Sequence, residues 1–542
     1  MKGHDAIAQA LVDQGVATVF GVLGDANLFI GEALTRIHDV HYVPATHEAS
    51  AVCMALGYSR ASGRLGVATC THGPGLTNTV TALVDGAKAR TPMLLVTGDT
   101  PTEAEHHLQN IDQADLIRTT GAGFVPVRSP RTIAADVATA VRRAHAEQRP
   151  IALNVPLEFE WEEVDYQPAP AVAALDRGVA ADPAALDAAV GLIASSSRPL
   201  IMAGRGAVVA DAHDALVRLG EILGAPLCTS LLGVSYFGDD DFDLGIHGTV
   251  ATSIGGEAMM TADCIVAFGA HLSRHTTDDG ALLNGKRVVQ VDIDPGRIGA
   301  TAPVDVGVVG DARRVAETMA AMLEEAGHQP SSYRSADLAS RLEAWSRVDE
   351  IDDRSTDTHV DPRTALARLD EIIPDDRTVT VDAGRFMLNA LIMPVPEPAA
   401  LVTSHAFGSI GLGMGTAIGA AVAVPDRPNV LFVGDGGFMM GGLNELHTAV
   451  HHELDIIVVL YNDGSYGAEH IQLVRKNMDP AASLHHWPDF TAVAAALGCD
   501  AVAVRNLDDF EAAAKAVAQR QPGHPVFIEI AIDPDVASAL QP

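Results

Sequence analysis

Residues 429–437 read NVLFVGDGG and residues 454–464 read LDIIVVLYNDG, two apolar runs that each end in a polar turn. Each run predicts a buried strand. The intervening stretch 443–452 predicts a helix, so the whole segment is one strand–helix–strand unit with parallel strands. Because parallel strands of such a unit end at the same edge of the sheet, Asp435 and Asn462 are expected to lie close together.

Glycines surround the first of these polar ends. Gly434, Gly436 and Gly437 flank Asp435, and the absence of Cβ atoms there lets backbone N–H groups approach phosphate oxygens. Asp435 and Asn462 carry the hard oxygen donors that suit Mg²⁺. A Gly-Asp-Gly sequence alone is usually a plain turn. The full unit, with the second strand and its asparagine, predicts a site for a divalent metal and a diphosphate.

Three further motifs lie elsewhere in the chain. Residues 43–51 read VPATHEASA and lead into a helix of small residues, and residues 69–78 read TCTHGPGLTN. Residues 406–411 read AFGSIG, which sets one bulky apolar side chain between glycines. Each motif alone is compatible with a core segment. The three motifs are informative because they occur together and in this order along the chain.

Together these motifs resemble those of thiamine-diphosphate enzymes of the acetolactate synthase branch, over about Asp5–Asp533. The resemblance implies thiamine diphosphate and Mg²⁺ as cofactors. It implies that Glu48 activates the pyrimidine ring, that Ile410 wedges the two rings of the cofactor together, and that the Gly408 carbonyl accepts from the 4′-amino group. The implied metal ligands are Asp435, Asn462 and Gly464. The implied cofactor contacts are Pro74, Asn78, Gly384, Gly408, Ile410, Gly434, Gly436, Gly437 and Tyr466.

Polar side chains expected above the cofactor bear on the reaction outcome. Besides Glu48, the candidates are His47, His72, His106, His107, Gln109 and Gln113. The pair His106–His107 is similar to the tandem histidines of pyruvate decarboxylases, whereas Gln109 is similar to the glutamine in the loop of synthases and benzaldehyde-lyase-like carboligases. Synthases place a tryptophan near the position of Gln472. Its absence weighs against a strict branched-chain-pathway synthase and leaves the resemblance to the superfamily unaffected.

We therefore expect an enzyme that cleaves or forms a carbon–carbon bond next to a carbonyl, with a small 2-oxo acid or aldehyde as substrate. A 2-oxo acid decarboxylase or a hydroxy-ketone lyase is the alternative within this class. A nucleotide-binding or regulatory homologue without catalysis is the alternative from another class, and the presence of Glu48, Asp435 and Asn462 argues against it. The resemblance also implies a homodimer as the minimum unit and a homotetramer as the usual one, since each site combines halves of two subunits.

The central part of the chain raises the question of a flavin. Residues 204–206 read GRG after an apolar run, but the third glycine of the dinucleotide fingerprint is missing. Some enzymes of this family hold FAD with an Arg-Phe-Asp-Asp-Arg loop and a Gly-Met-His-Gly turn. Residues 245–248 read GIHG, which is similar to the turn, whereas residues 270–275 read AHLSRH where the loop is expected. We expect little or no FAD.

A chain of 542 residues is too long for a single core. Strand and helix patterns alternate throughout, which predicts three doubly wound α/β domains with parallel sheets. The expected domains are a pyrimidine-binding domain over 1–165, a central Rossmann-like domain over 185–330 and a diphosphate-binding domain over 355–542. The segment 168–183, rich in alanine and proline, reads as a linker.

Composition restricts the partners. The chain has 36 basic and 70 acidic residues, a formal charge of −34, which argues against nucleic-acid binding. No apolar run is long enough for a membrane span, and the start has no apolar signal-peptide core, so we expect a cytoplasmic enzyme. The five cysteines are scattered without CxxC pairs, and buried free thiols are expected.

Overall fold

The computed structural model describes residues 1–104, 106–172, 178–521 and 523–534. It contains three six-stranded parallel sheets flanked by helices, which confirms the predicted fold class. The first and third sheets belong to one compact unit and the second sheet to another. Part of the predicted linker, residues 173–177, lies outside the described residues, as do the last eight positions of the predicted diphosphate-binding domain.

The first sheet is built from the amino-terminal part of the chain. Its strands are β1 (Thr18–Gly21), β2 (His41–Pro44), β3 (Gly66–Cys70), β4 (Met93–Asp99), β5 (Gly123–Pro126) and β6 (Pro150–Pro156), in the spatial order β2-β1-β3-β4-β6-β5. The helices are α1 (Gly3–Asp13), α2 (Leu28–His38), α3 (Glu48–Ser62), α4 (Pro74–Thr77), α5 (Val80–Lys88), α6 (Gln113–Thr119) and α7 (Ile133–Glu147). The buried strands read as nearly continuous apolar runs, as expected for a parallel sheet covered on both faces.

The second sheet forms the central unit. Its strands are β7 (Pro199–Ala203), β8 (Leu227–Thr229), β9 (Asp243–Ile246), β10 (Cys264–Phe268), β11 (Arg287–Asp292) and β12 (Val306–Val309), in the order β12-β11-β10-β7-β8-β9. The helices are α8 (Pro183–Ala194), α9 (Arg205–Val209), α10 (His213–Leu223), α11 (Ser253–Thr261), α12 (Ala312–Glu325) and α13 (Ala336–Ala344). Strand order reverses between β7 and β10, the kind of position where doubly wound folds hold ligands.

The third sheet follows the same plan. Its strands are β13 (Thr378–Val381), β14 (Leu401–Thr403), β15 (Asn429–Gly434), β16 (Ile456–Asn462), β17 (Asp500–Val504) and β18 (Val526–Ala531), in the order β14-β13-β15-β16-β18-β17. The helices are α14 (Pro362–Ile372), α15 (Met387–Ala390), α16 (Gly413–Ala423), α17 (Asp435–Gly437), α18 (Leu443–His451), α19 (Gly467–Arg475), α20 (Phe490–Ala496) and α21 (Phe510–Gln519). A π-helical turn, Phe438–Gly442, joins α17 to α18.

Helices α3 and α16 pack with their backbones in close contact. A Cβ atom on Gly57 would lie 2.0 Å from the carbonyl oxygen of Thr416, and one on Gly419 would lie 1.8 Å from that of Met54. Only glycine fits at such a contact, because any side chain would force the helices apart. The small-residue character of both helices thus explains how one apolar core extends across the first and third sheets.

The strand–helix–strand prediction around Asp435 agrees with the structure. β15 and β16 are adjacent and parallel, with Gly434 opposite Tyr461, so Asp435 and Asn462 follow neighbouring strands at the same edge. The five cysteines are all buried and free, as expected. Within the described parts of the chain, no helix is long and apolar enough to cross a membrane.

Candidate active site

Glu48 is the first residue of α3, directly after the loop that follows β2. Its carboxylate oxygen Oε2 accepts a 2.9 Å hydrogen bond from the side-chain amide of Asn78. Its other oxygen faces the Gly-Pro-Gly turn, 3.5 Å from where a Cβ atom of Gly75 would stand. The short helix α4, which begins at Pro74, therefore lies beside the Glu48 carboxylate. The structure brings three predicted site residues, Glu48, Pro74 and Asn78, into one cluster.

The turn at Gly73 is held by a buried amide. Gly73 has a positive φ of 59°, and its backbone N–H donates a 2.9 Å hydrogen bond to the side-chain oxygen of Gln113. The Gln113 amide nitrogen donates in turn to the Gly98 carbonyl and to Asn154. Gln113 is thus a support of the turn. The backbone oxygen of Gln109 packs directly against Gly73, where a Cβ atom would approach it to 2.4 Å.

Two histidines face each other at this turn. The ring centroids of His72 and His107 are 5.1 Å apart, and His72 is only 1% exposed. Burial, followed by the proximity of His107, lowers the pKa of His72, so its imidazole is neutral at pH 7. The Nε2 atom of His72 is buried with no hydrogen-bond partner in the described part of the chain. The histidines that meet are therefore His72 and His107, whereas His106 is exposed.

Asp435 lies at the end of β15, with a side chain 3% exposed. Its Oδ1 accepts a hydrogen bond from the N–H of Gly436, and its Oδ2 accepts a 2.8 Å hydrogen bond from the indole N–H of Trp487. Burial, and next the nearby Asp463 carboxylate, raise the pKa of Asp435 to about 7. Asp463 pairs with the Arg385 guanidinium at 3.7 Å, whereas no cationic side chain is paired with Asp435 among the described residues. A divalent cation would compensate the buried Asp435 carboxylate, so the charge arrangement fits Mg²⁺.

Asn462 and Gly464 complete the predicted ligand set. The side-chain oxygen of Asn462 accepts from the Gly464 N–H at 3.0 Å, and its amide nitrogen donates to Glu529 at 2.7 Å. This second bond fixes the Asn462 amide with its nitrogen toward Glu529 and its oxygen toward Gly464. Among the described residues, no cluster of three His, Cys, Asp or Glu side chains could hold a metal ion. The predicted set has one carboxylate, one amide and one backbone carbonyl, all of them oxygen donors.

Ile410 packs against the start of α17. Cβ atoms built on Gly436 and Gly437 would lie 3.9 Å and 3.6 Å from the Ile410 side chain, and the Tyr466 ring would be 2.7 Å from the first of them. Gly408 has a positive φ of 77° and nothing within 4 Å of its missing Cβ. The predicted wedge, the glycine turn and Tyr466 are therefore in contact, with open space beside Gly408.

Gly384 and Gly434 share a neighbour, since both pack against the ring of Phe386 at the ends of adjacent strands.

Sequence reasoning missed Asp382, which follows β13. Its buried carboxylate accepts a 2.8 Å hydrogen bond from the Gly411 N–H and a weaker one from Leu412, which fixes the loop behind Ile410. Asp382 follows a buried strand just as Asp435 does, and this position at the end of a strand is the signal by which it could have been found.

Comparison with known protein families agrees with this geometry. Residues 1–116 match the N-terminal TPP-binding domain of thiamine pyrophosphate enzymes, residues 186–320 the central domain, and residues 382–530 the C-terminal TPP-binding domain. The chain belongs to the thiamine pyrophosphate enzyme family. The resemblance inferred from the motifs is thereby confirmed.

Named relatives of this thiamine pyrophosphate enzyme extend over nearly its whole length. It is 30% identical over 522 residues to the acetolactate synthase large subunit of Parasynechococcus marenigrum, covering 93% of this chain and 83% of that protein. It is 28% identical over 573 residues to a probable acetolactate synthase large subunit of Methanocaldococcus jannaschii, covering 100% and 94%. It is 29% identical over 586 residues to a sulfoacetaldehyde acetyltransferase of Rhodobacter capsulatus, covering 100% and 96%.

These matches establish a thiamine-diphosphate-dependent, acetolactate synthase-like enzyme. Nothing in them supports the inactive regulatory homologue. The Glu48 cluster and the Asp435 edge fit the two halves of thiamine diphosphate, because one offers a carboxylate beside a glycine turn and the other offers oxygen donors with backbone N–H groups.

The central unit of this thiamine pyrophosphate enzyme carries the sequence similar to a flavin turn. His247 lies at that turn, 1% exposed, and its Nδ1 contacts the carbonyl oxygen of Thr276 at 2.7 Å. In the loop that replaces the expected arginine-rich one, the Arg274 guanidinium pairs with Asp279. Arg274, the one arginine in residues 270–275, thus has a carboxylate partner at the protein surface. The expectation of little or no FAD stays a prediction.

Proposed function

We propose that this enzyme is a Mg²⁺-dependent carboligase that decarboxylates a 2-oxo acid and joins the remaining fragment to a second carbonyl, giving a 2-hydroxy ketone. The observation that carries the proposal is the Glu48 carboxylate, which Asn78 holds beside the Gly73–Gly75 turn; the His72–His107 pair lies at the other end of that turn. This part of the chain combines an acid–base group, Glu48, with two histidines suited to a carbonyl substrate.

Thiamine diphosphate, when bound, supplies a carbon nucleophile and an electron sink for decarboxylation. Glu48 would hold or release a proton at its carboxylate, in the half of the site that would take the pyrimidine ring. Ile410 would orient the cofactor from below, since its side chain packs on Gly436 and Gly437. The position of each residue and the family resemblance support these roles.

Asp435, Asn462 and Gly464 would hold Mg²⁺ through their oxygen atoms. The cation would neutralise both the buried carboxylate and the diphosphate, which otherwise repel each other. The N–H group of Gly437, at the start of a helical run, adds a donor for phosphate oxygens, whereas the N–H of Gly436 donates to Asp435. This half of the site binds the cofactor and takes no direct part in proton transfer.

The fate of the cleaved substrate depends on His72, His107 and Gln109. A neutral, buried His72 can move a proton at its Nε2 atom, which favours release of an aldehyde and supports the decarboxylase alternative. Gln109 offers an amide that can orient a second carbonyl, which favours ligation. We give ligation first place because Gln472 stands where synthases place the larger tryptophan, which supports space for an acceptor at this position.

Two experiments test the proposal. Asp435→Ala should leave a folded protein that no longer binds thiamine diphosphate in a Mg²⁺-dependent manner, as measured by calorimetry. Unchanged affinity in this variant would refute the metal assignment. A panel of 2-oxo acids, each with and without an acceptor aldehyde or 2-oxo acid, should yield 2-hydroxy ketones. Sulfoacetaldehyde belongs in the panel because relatives are named for it.

We propose a homodimer as the minimum active unit and a homotetramer as the assembly in solution. The support is the family resemblance, in which each site combines the pyrimidine half of one subunit with the diphosphate half of another. Light scattering of the purified protein tests this directly. A monomer with full activity would contradict it.

A further inference from the structure

A short segment outside the third sheet covers the predicted metal ligands. Within the segment 483–487, residues 483–485 run antiparallel to residues 464–466. The N–H of His485 donates to the Gly464 carbonyl at 2.7 Å, and the N–H of Tyr466 donates to the Ser483 carbonyl at 2.9 Å. At the end of the segment the Trp487 indole N–H donates to Asp435 at 2.8 Å. One segment therefore contacts two of the three predicted ligands.

The Trp487 ring is fixed by its neighbours. It stacks on His485 with centroids 4.6 Å apart and an interplanar angle of 20°, and it contacts the buried ring of Phe490 at 6.3 Å. His485 in turn meets Tyr466 edge-on at 4.4 Å. The indole nitrogen can only donate a hydrogen bond. Because His485 and Phe490 hold the Trp487 ring in place, the hydrogen bond from its indole N–H restricts rotation of the Asp435 carboxylate.

We propose that Trp487 is a positioning residue for the cation site: its N–H orients the Asp435 carboxylate so that the remaining lone pairs are available to the metal. This inference rests on the proposed function, in which Asp435 is a metal ligand. Groups that hydrogen-bond to metal ligands hold them in orientation, and their loss typically weakens metal binding about 10–100-fold.

The other ligands have comparable partners. Glu529 holds the amide of Asn462, and the His485 N–H holds the Gly464 carbonyl. Glu529 belongs to β18 and the His485 donor is backbone, so neither interaction can be removed by a side-chain change outside the sheet. Trp487 is the partner whose donor can be deleted while an aromatic ring stays in place. This makes its contribution measurable.

The test uses Mn²⁺ in place of Mg²⁺, titrated into the full-length apoprotein in the presence of saturating thiamine diphosphate and followed by electron paramagnetic resonance. Trp487→Phe keeps a ring in the stack and removes the N–H, and it should raise the Mn²⁺ dissociation constant about 10–100-fold. The melting temperature of the apoprotein should stay close to that of the wild type. Wild-type Mn²⁺ affinity in Trp487→Phe would overturn the inference.

His485→Leu is the matched control, because it removes the stacking partner and keeps the indole N–H and the backbone donor. Under the proposal this variant should weaken Mn²⁺ binding less than about threefold. A loss in His485→Leu equal to that in Trp487→Phe would assign the effect to general order of the segment and overturn the positioning role.

Asp435→Ala separates this inference from the proposed function. Retained Mn²⁺ binding in Asp435→Ala means that the metal assignment itself has failed. Loss of binding in Asp435→Ala together with wild-type binding in Trp487→Phe refutes only the role of Trp487.

Discussion

The carboxylate of Glu445 accepts hydrogen bonds from both the backbone N–H and the hydroxyl of Thr46, at 3.0 Å and 2.6 Å. It also accepts from the next N–H, that of His47, at 3.2 Å. Glu445 lies on α18, in the helical run that starts at Asp435, whereas Thr46 lies two residues before Glu48. One side chain of the diphosphate-binding half thus holds the backbone in front of the predicted activating carboxylate of the same chain.

A second buried carboxylate, this time in the pyrimidine-binding half, holds a loop of the diphosphate-binding half. Asp85 of the first domain pairs with Arg60 at 3.0 Å and accepts a 3.1 Å hydrogen bond from the N–H of Phe407. Phe407 directly precedes the Gly408–Ile410 segment. Each half of the chain therefore supplies a carboxylate that fixes a site loop of the other half.

Replacement of Glu445 should destabilise the protein. Glu445 is fully buried, and Glu445→Ala would leave the donors of Thr46, His47 and Thr448 without an acceptor. We expect a loss of about 3 kcal/mol in the free energy of unfolding, measured by urea denaturation. Asn444→Ala is the control, since Asn444 is exposed and donates to the same Thr46 hydroxyl. A loss above about 1 kcal/mol in the control would argue against a special role for the carboxylate.

Glu48→Gln should separate cofactor binding from cofactor activation. The amide retains the size of the side chain but cannot hold the proton that the carboxylate holds. Exchange of the thiazolium C2 proton should slow by about 10²–10⁴-fold, the range typical of acid–base groups. Quenched-flow NMR measures this rate, and calorimetry should show nearly unchanged thiamine diphosphate affinity. Wild-type exchange in the variant would exclude Glu48 from the mechanism.

Much of this site could be predicted because it depends on local patterns. The apolar runs before Asp435 and Asn462 predict strands, and parallel pairing then places both residues at one edge. The glycine turn at Gly73–Gly75 is likewise encoded by the residues that form it. Such features need only a strand to end and a turn to follow, and both have a sequence signature.

The supports of the site could not be predicted in this way. Trp487 reaches Asp435 from 52 positions away in the sequence, and nothing in its neighbourhood marks it as a partner of a carboxylate. The sequence around Glu445 predicts an amphipathic helix and gives no sign that its carboxylate contacts Thr46 and His47, just before α3. His106 and His107 are adjacent in sequence, yet only His107 turns toward His72. These relationships arise from tertiary packing.

The pH dependence of stability should reflect His247. Burial lowers its pKa to about 4, from an ordinary value of 6.5, so the folded protein keeps this ring neutral while the unfolded chain binds a proton. The stability contributed by the neutral ring is complete above pH 6.5 and decreases as the pH falls toward 4. Between pH 7.5 and 4.5 the wild type should lose about 2–3 kcal/mol more than His247→Asn. Equal losses in urea denaturation would contradict this prediction.

The purified enzyme should carry little or no FAD. The arginine-rich loop of flavin-holding relatives is absent, and Arg274, which stands in its place, is paired with Asp279. The absorption spectrum after gel filtration should lack flavin bands, and added FAD should not change the melting temperature. One equivalent of flavin per chain that survives gel filtration would overturn the prediction.

Gln109→Ala should lower ligation more than decarboxylation. The backbone oxygen and Cβ of Gln109 pack against Gly73, and alanine keeps both, so the substitution removes only the side-chain amide. That amide is expected to orient the acceptor carbonyl, a requirement of the ligation step alone. The ratio of 2-hydroxy ketone to aldehyde, measured with pyruvate and an excess of acceptor, should fall about tenfold or more. Gln113→Ala is the contrasting variant, because its buried amide supports the Gly73 turn and its loss should lower both products together. If the wild type releases only aldehyde under these conditions, the decarboxylase alternative replaces the carboligase.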